Sequence, residues 1–300
     1  MLITLFDFFS LYFRSIASAR KALNLSDEAR MFNRFGRRLG WRLILNGESY
    51  GVSYLVNPVN SFRYFEFPFA LTALPDNPGR CLDVSSPSLF SFYVSQKFRP
   101  KSIWMINPDH EDIHRSAVTA RKLKIPNIET ECHGVDILED RKESFDCIWS
   151  ISVVEHISGK YDDRYAAWLM YQALAVGGRL ILTIPVDRIS WDEYRDQTYY
   201  GMPKDRSGTG SHFFQRYYDK QSLWKRIVGS IGVEPAHIGW FGEKNGGHFA
   251  DYEKRWLRDG FECTFDDPRE MSEHYQEFLS WDEMPGKGVC GLVFIKPLEK

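Results

Sequence analysis

The chain has 300 residues, of which 43% are hydrophobic and 26% charged, and its 38 Lys and Arg against 40 Asp and Glu leave a net charge of −2. That length exceeds a typical single domain and fits one large domain with extensions, while the near-neutral balance argues against a broad basic face, so no nucleic-acid partner is expected. The five cysteines Cys81, Cys132, Cys147, Cys263 and Cys290 are scattered without a CxxC pair, which argues against a disulfide framework or structural zinc and predicts reduced thiols in a cytoplasmic setting.

The chain opens on the apolar stretch "MLITLFDFFSLYF". It is shorter than the roughly 20 apolar residues a spanning helix needs, and Asp7 interrupts it. No basic segment precedes it, so a signal peptide is not expected. The reading is an amphipathic helix packed on the main domain, with weak peripheral membrane contact through residues 1–13 as the alternative. Residues 1–78 are expected to form a helical N-terminal extension, ending in the aromatic segment "NPVNSFRYFEFPFALTALP".

From Gly79 the pattern changes. "GRCLDV" reads as a strand and "SPSLFSFYVSQKF" as a helix, with Ser86 as N-cap and Pro87 as first helical residue. "SIWMIN" is a second strand, "HEDIHRSAVTARKLK" a helix, "IETECHGVDI" a third strand and "FDCIWSISVV" a fourth. "YDDRYAAWLMYQALAVGG" reads as a helix stopped by Gly177 and Gly178, and "RLILTIPV" as a fifth strand. A long polar and aromatic stretch, 187–217, reads as a lid. "DKQSLWKRIVGSIG" is a helix with Asp219 as N-cap and Leu223, Ile227 and Ile231 inward. "PAHIGWFG" and "GVCGLVFIKP" are late strands, separated by an insertion at 242–287.

Strands alternating with helices, apolar on both faces, predict an α/β fold with a doubly wound, mostly parallel sheet. Such sheets bind ligands beyond the carboxyl ends of their strands, where strand order reverses. The strand ends Asp83–Ser88, Asn107–Asp109, Asp136–Ile137, Ser150–His156 and Pro185–Asp187 are therefore the candidate site.

The span from Gly79 to about Pro235, with the return at "GVCGLVFIKP", resembles the class I S-adenosylmethionine-dependent methyltransferases. The most specific piece is "FDCIWSISVVEHI". "GVDI" is similar to the family's adenine turn, "ALAVGGRLILTIP" to its glycine turn and fifth strand, and "SHFFQRYYDKQSLWKRIVGSIGVE" to the segment that follows. The resemblance implies a Rossmann-like methyltransferase domain over 79–300, S-adenosylmethionine as cofactor, and methyl transfer to an oxygen or nitrogen of a small-molecule or glycan-like acceptor. Two positions depart from the family: its three glycines fall on Ser85, Pro87 and Leu89, and its ribose-binding acid falls on Asn107, with Asp109 two residues on.

Within that resemblance each residue has an expected role. Asp83 holds the methionine amino group, and Ser85, Ser86 and Ser88 hold its carboxylate at a helix N-terminus. Asn107 and Asp109 meet the ribose, Asp136 accepts from the adenine amino group, Ile137 packs on the ring, and Ser150 lies beside them. His156, oriented by Glu155, suits a general base. His212, Arg216 and Tyr217 are expected to close over the acceptor. Each has a plainer alternative: a helix cap at Ser86-Pro87, a turn acid at Asp136, a capping pair at Glu155-His156 and a surface hairpin at 212–217. No metal is expected, since His133 and Asp136 gather no cluster around them. No GxGxxG follows a strand, which leaves little room for a hydride-transferring enzyme. The runner-up function is a methyltransferase-like protein that binds a ligand or partner without catalysis, and a third is a structural partner using the aromatic N-terminal region.

Overall fold

The computed structural model describes residues 5–22, 25–196 and 211–298. Four helices come first: α1 (Leu5–Lys21), α2 (Asp27–Leu45), α3 (Gly51–Val56) and α4 (Arg63–Ala73). Then β1 (Arg80–Val84), α5 (Ser88–Lys97), β2 (Ser102–Ile106), α6 (His110–Lys122) and β3 (Ile128–Glu131) alternate. They are followed by β4 (Phe145–Ile151), α7 (Asp163–Ala173) and β5 (Leu174–Val186). A hairpin of β6 (Trp191–Arg195) and β7 (His212–Tyr217) leads to α8 (Lys220–Leu223), a π-helical turn (Trp224–Val228) and α9 (Gly229–Ile231). The chain ends through β8 (His237–Glu243), α10 (His248–Asp259), α11 (Asp267–His274), β9 (Tyr275–Phe278) and β10 (Gly288–Ile295). It divides into two compact units, one of Ala70–Trp240 with Val289–Lys300, the other of Met1–Phe69 with Phe241–Gly288.

In the larger unit the sheet runs β3-β2-β1-β4-β5-β10-β8. The strands from β1 to β5 pair in parallel, with Asp83 level with Met105 on one side and Trp149 on the other. Strand order therefore reverses between β1 and β4, as a doubly wound sheet requires. The apolar runs explain the burial, since Leu82, Ile148 and Leu180 through Leu182 lose all exposure to helices on both faces. Trp149 lies edge-on to Phe90 of α5, ring centroids 5.6 Å apart, and its indole N–H donates to Ser91 Oγ at 3.1 Å, which satisfies the polar end of a fully buried ring. Asp219 caps α8 through a reciprocal pair with Ser222, and Leu223, Ile227 and Ile231 are buried as their spacing predicts.

Several local expectations are corrected. "GVDI" is not strand: β3 stops at Glu131, and Val135–Asp140 is a 3-10 turn. The helix α7 stops at Ala173, before the glycines, because Leu174 turns extended and the backbone from there joins a ladder; Gly177 N–H donates to Lys296 O at 2.8 Å. Ser86 does not cap α5, whose N-cap position is Pro87. Its hydroxyl instead accepts from Ile151 N–H. The flanks of the expected lid are an antiparallel ladder with a register shift between Glu193 and Tyr194, Trp191 opposite Tyr217 and Arg195 opposite His212, while its centre, 197–210, lies outside the described residues.

In the smaller unit α2 and α3 meet through glycines. A Cβ on Gly40 would stand 2.5 Å from Gly51 O, and one on Gly51 2.7 Å from Gly40 O, so only glycine permits this approach. The described bonds of α1 include those from Arg14 to Asp266, from Ser15 to Val56 O, from Arg37 Nη2 to Ser15 Oγ and from Arg269 N–H to Ser18 Oγ. Within this unit the N-terminal helix thus packs on α2, α3 and the late segment. Phe62 stacks on Phe249 at 5.1 Å and Phe65 on Phe241 at 5.3 Å within the same unit. No helix among the described residues is long and apolar enough to cross a membrane.

Candidate functional site

The two strands that flank the reversal leave the sheet in the same way. Ser85 after β1 has φ 53° and Ser152 after β4 has φ 49°. For a residue with a Cβ this left-handed backbone costs about 1–2 kcal/mol and persists only when neighbours enforce it. Here Ser85 N–H donates to Ile106 O at 2.8 Å, and Ser152 N–H to Thr183 O at 3.0 Å. The serine at position 85 thus adopts the conformation for which glycine is ordinarily needed.

Beneath the first turn lies Asp83, buried at 1% exposure. Its Oδ1 accepts from Ser86 N–H at 2.9 Å and its Oδ2 from the Ser91 hydroxyl. Burial pushes its carboxyl up to about 6, against the opposing hydrogen bonds of Ser91 and Ser86. Asp83 therefore ties β1, the turn and α5 together, and its two oxygens are engaged inside the protein. Ser86 is buried with it, whereas Ser85 and Ser88 are half-buried.

Beyond β2, Asn107 Oδ1 accepts from Asp109 N–H at 2.9 Å, and its amide donates to Asp112 at 3.3 Å. Asp109 caps α6, accepting from Glu111 and Asp112 N–H at 2.9 and 3.1 Å. Asn107 itself is half-buried. Asp136 lies in the 3-10 turn with a side chain 40% exposed, 3.6 Å from His133 Nδ1, and Ile137 is half-buried next to it. Ser150 is fully buried and its hydroxyl donates to Val84 O at 3.3 Å, so it bridges β4 to β1 and shows no surface to a ligand.

After Ser152 a short 3-10 turn (Val154–His156) carries Glu155 and His156. Glu155 is buried, and its Oε1 is 3.9 Å from His156 Nε2. His156 Nδ1 faces Phe214 O of β7 at 2.6 Å, and the two rings meet edge-on at 4.9 Å. Since a carbonyl can only accept, the Nδ1 position carries a proton, and in the neutral ring Nε2 is then the atom with the lone pair. His212 opens β7 with its Nδ1 buried and without a partner.

Arg216 is engaged by two carboxylates. Its Nε donates to Asp192 at 2.7 Å and its Nη1 to Asp163 at 3.0 Å. Tyr217 is buried, stacked on Trp191 at 4.6 Å, with its hydroxyl accepting from Gln215 at 2.9 Å. Asp163 is the centre that sequence reasoning missed. Fully buried, it also accepts from Tyr218 at 2.7 Å and from Arg226 Nε at 2.7 Å. An acid directly after a helix cap reads as solvated charge; its partners come from residues more than fifty positions away, so no local spacing announces them.

No family model matches the sequence, and no curated protein matches it. Among solved structures the chain is similar to phosphoethanolamine N-methyltransferase 2 of Haemonchus contortus, solved with phosphomonomethylethanolamine and S-adenosylhomocysteine. The match has a TM-score of 0.50 and 11% identity over 86% of this chain and 57% of that one. Geranyl diphosphate C-methyltransferase of Streptomyces coelicolor A3(2) matches with a TM-score of 0.46 and 12% identity, over 77% of each chain. Coclaurine N-methyltransferase matches with a TM-score of 0.47 and 12% identity, over 76% of this chain and 68% of that one. The chain has the Rossmann-like fold of class I methyltransferases, as the sequence resemblance implies.

Proposed function

We propose that the protein is an enzyme that transfers a methyl group from S-adenosylmethionine to an oxygen or nitrogen of a small-molecule or glycan-like acceptor, in a cytoplasmic setting. The observation that carries this reading is the paired left-handed serines, Ser85 and Ser152, at the two strand ends flanking the reversal of strand order. Strained non-glycine backbone at that point of a doubly wound sheet supports reading it as a ligand crevice. The residues around it suit the cofactor's parts. The hydroxyl of Ser88, with the first amides of α5, suits a carboxylate, and that of Ser85 would join them by turning from Ile106 O, to which it donates at 3.2 Å. Asn107 suits ribose hydroxyls, and Asp136 with Ile137 suits an aminopurine. Asp83, Ser86 and Ser150 act from beneath, holding the turn and the strands in register.

When bound, the cofactor supplies a methyl carbon already activated by its sulfonium. The protein's own work is then to align the acceptor, exclude water and remove one proton. His156 Nε2 is the atom that would take it, Phe214 O holding the ring and Glu155 favouring the charged form that results.

The test is binding followed by turnover. The fold neighbour from Haemonchus contortus was solved with S-adenosylhomocysteine, which makes that compound the natural probe. It should raise the melting temperature, because a ligand selective for the native state stabilises by RT ln(1 + [L]/Kd). No shift at millimolar concentration counts against the proposal. A second reading is favoured by Asp83, whose carboxylate oxygens are both engaged internally: a methyltransferase-like protein that binds ligand without catalysis. It predicts binding, but no methylation of any hydroxyl or amine offered.

A further inference from the structure

The smaller unit gathers ligating side chains that the proposed methyl transfer does not use. His248 is the first residue of α10, and Glu270 and His274 stand one turn apart on α11, a spacing that puts the pair on one helix face. The ligand atoms of all three lie within 4.8 Å of one another. His248 Nε2 bonds Glu270 Oε1, and the two imidazoles stack with centroids 4.0 Å apart. Glu270 is only 9% exposed, while His248 is 25% exposed, so the cluster is open on one side. Next to it, the ring of Tyr275 lies edge-on to His248 at 5.8 Å. The Tyr275 hydroxyl is buried without a hydrogen-bond partner, an arrangement a bound ion with its water would relieve.

We propose that His248, Glu270 and His274 bind one divalent transition-metal ion of the zinc class. Two imidazoles and one carboxylate suit an ion of borderline softness and leave a position for water. Metal bonds of about 2.0–2.2 Å need the three side chains to close slightly, replacing the His248–Glu270 bond by two bonds to the ion. Arg255 Nη2 donates to Glu270 Oε1 at 2.7 Å, which fixes the carboxylate's orientation, as outer partners of metal ligands do.

The experiment uses the full chain after chelator treatment. Titration with zinc(II) in a calorimeter should show about one ion per chain, and cobalt(II) should give visible absorption bands of a low-coordinate nitrogen and oxygen site. His248→Gln and His274→Gln should each weaken uptake at least about tenfold. Glu270→Gln, which keeps the shape and most hydrogen bonds, gives the same answer should a histidine variant fold poorly. The melting shift with S-adenosylhomocysteine should be unchanged in all three, so failure here is separable from failure of the methyltransferase proposal. Absence of stoichiometric uptake, or uptake that survives the variants, overturns the site and leaves a plain hydrogen-bonded histidine–glutamate pair.

Discussion

His156 Nδ1 faces the carbonyl oxygen of Phe214 at 2.6 Å. That one contact, between the turn after β4 and the strand β7, sets the tautomer and leaves Nε2 as the basic atom, with Glu155 Oε1 3.9 Å from it. If Nε2 takes the acceptor's proton, His156→Ala should lower turnover by roughly 10²–10⁴-fold with nearly unchanged affinity for S-adenosylhomocysteine. The deficit should shrink at high pH, where the acceptor ionises unaided. Glu155→Gln should reduce turnover less. A purely structural histidine predicts a lower melting temperature and normal turnover per folded molecule, and steady-state kinetics across pH on the substrate found by screening decides between them.

Asp83 links pH to stability. Its carboxyl is raised by burial to about 6 in the folded protein, against about 3.9 when unfolded. The folded state therefore favours the protonated form. Its contribution is fully present below about pH 4 and is lost as pH rises through about 6, a difference on the order of 3 kcal/mol. Asp83→Asn removes that step while retaining a partner for Ser86 N–H. Urea unfolding of the variant from pH 4 to 7.5 should show a flatter stability profile than the wild type. An unchanged slope would mean that Asp83 stays charged in the folded state.

Most of the sheet was legible because buried parallel strands are continuous apolar runs and the helices between them repeat at 3.6. "FDCIWSI" and "RLILTIPV" carry that signal without ambiguity. What was misread lies where tertiary bonds override local pattern. Leu174 through Gly178 look like a helix end until the backbone pairing with Lys296 is known. Ser86 looks like a cap, yet Asp83 takes its amide and its hydroxyl reaches Ile151. In the candidate site the strand ends were readable from topology alone. The engagement of Arg216 was not, because Asp163 and Asp192 reach it from distant segments. The same holds for His248 and Glu270, which no motif spacing connects.

Asp163 should be the most sensitive charged position of the larger unit. Burial pushes its carboxyl up, but the hydrogen bonds from Arg226 and Tyr218 outweigh it and hold the group below the usual range. Its stabilisation is present above about pH 4 and lost only as pH falls through the lower folded value. Asp163→Asn should cost about 3–5 kcal/mol at pH 7, because it leaves the partly buried Arg216 and Arg226 without their shared counter-charge. In denaturant titrations the gap between variant and wild type should narrow below pH 4. A loss under about 1 kcal/mol would show that the arginines re-pair with Asp162 and Asp192 at little cost.

Asp136 is where cofactor recognition can be isolated from folding. It is partly exposed on the 3-10 turn after β3, and its described ionic neighbour is His133 Nδ1 at 3.6 Å, so replacing it should leave stability within about 0.5 kcal/mol. If its carboxylate accepts from the adenine amino group, Asp136→Ala should weaken S-adenosylhomocysteine binding by about 1–2 kcal/mol, or roughly five- to thirtyfold in Kd. The inosine analogue, in which an oxo group replaces that amino group, supplies the control. It should bind the wild type more weakly than the adenine compound does, and the difference should largely vanish in Asp136→Ala, because a coupling energy between two groups disappears when either is removed. Calorimetry on the four combinations gives that coupling directly. If the inosine penalty survives in the variant, the amino group is read elsewhere, and Asp136 serves only to shape the turn.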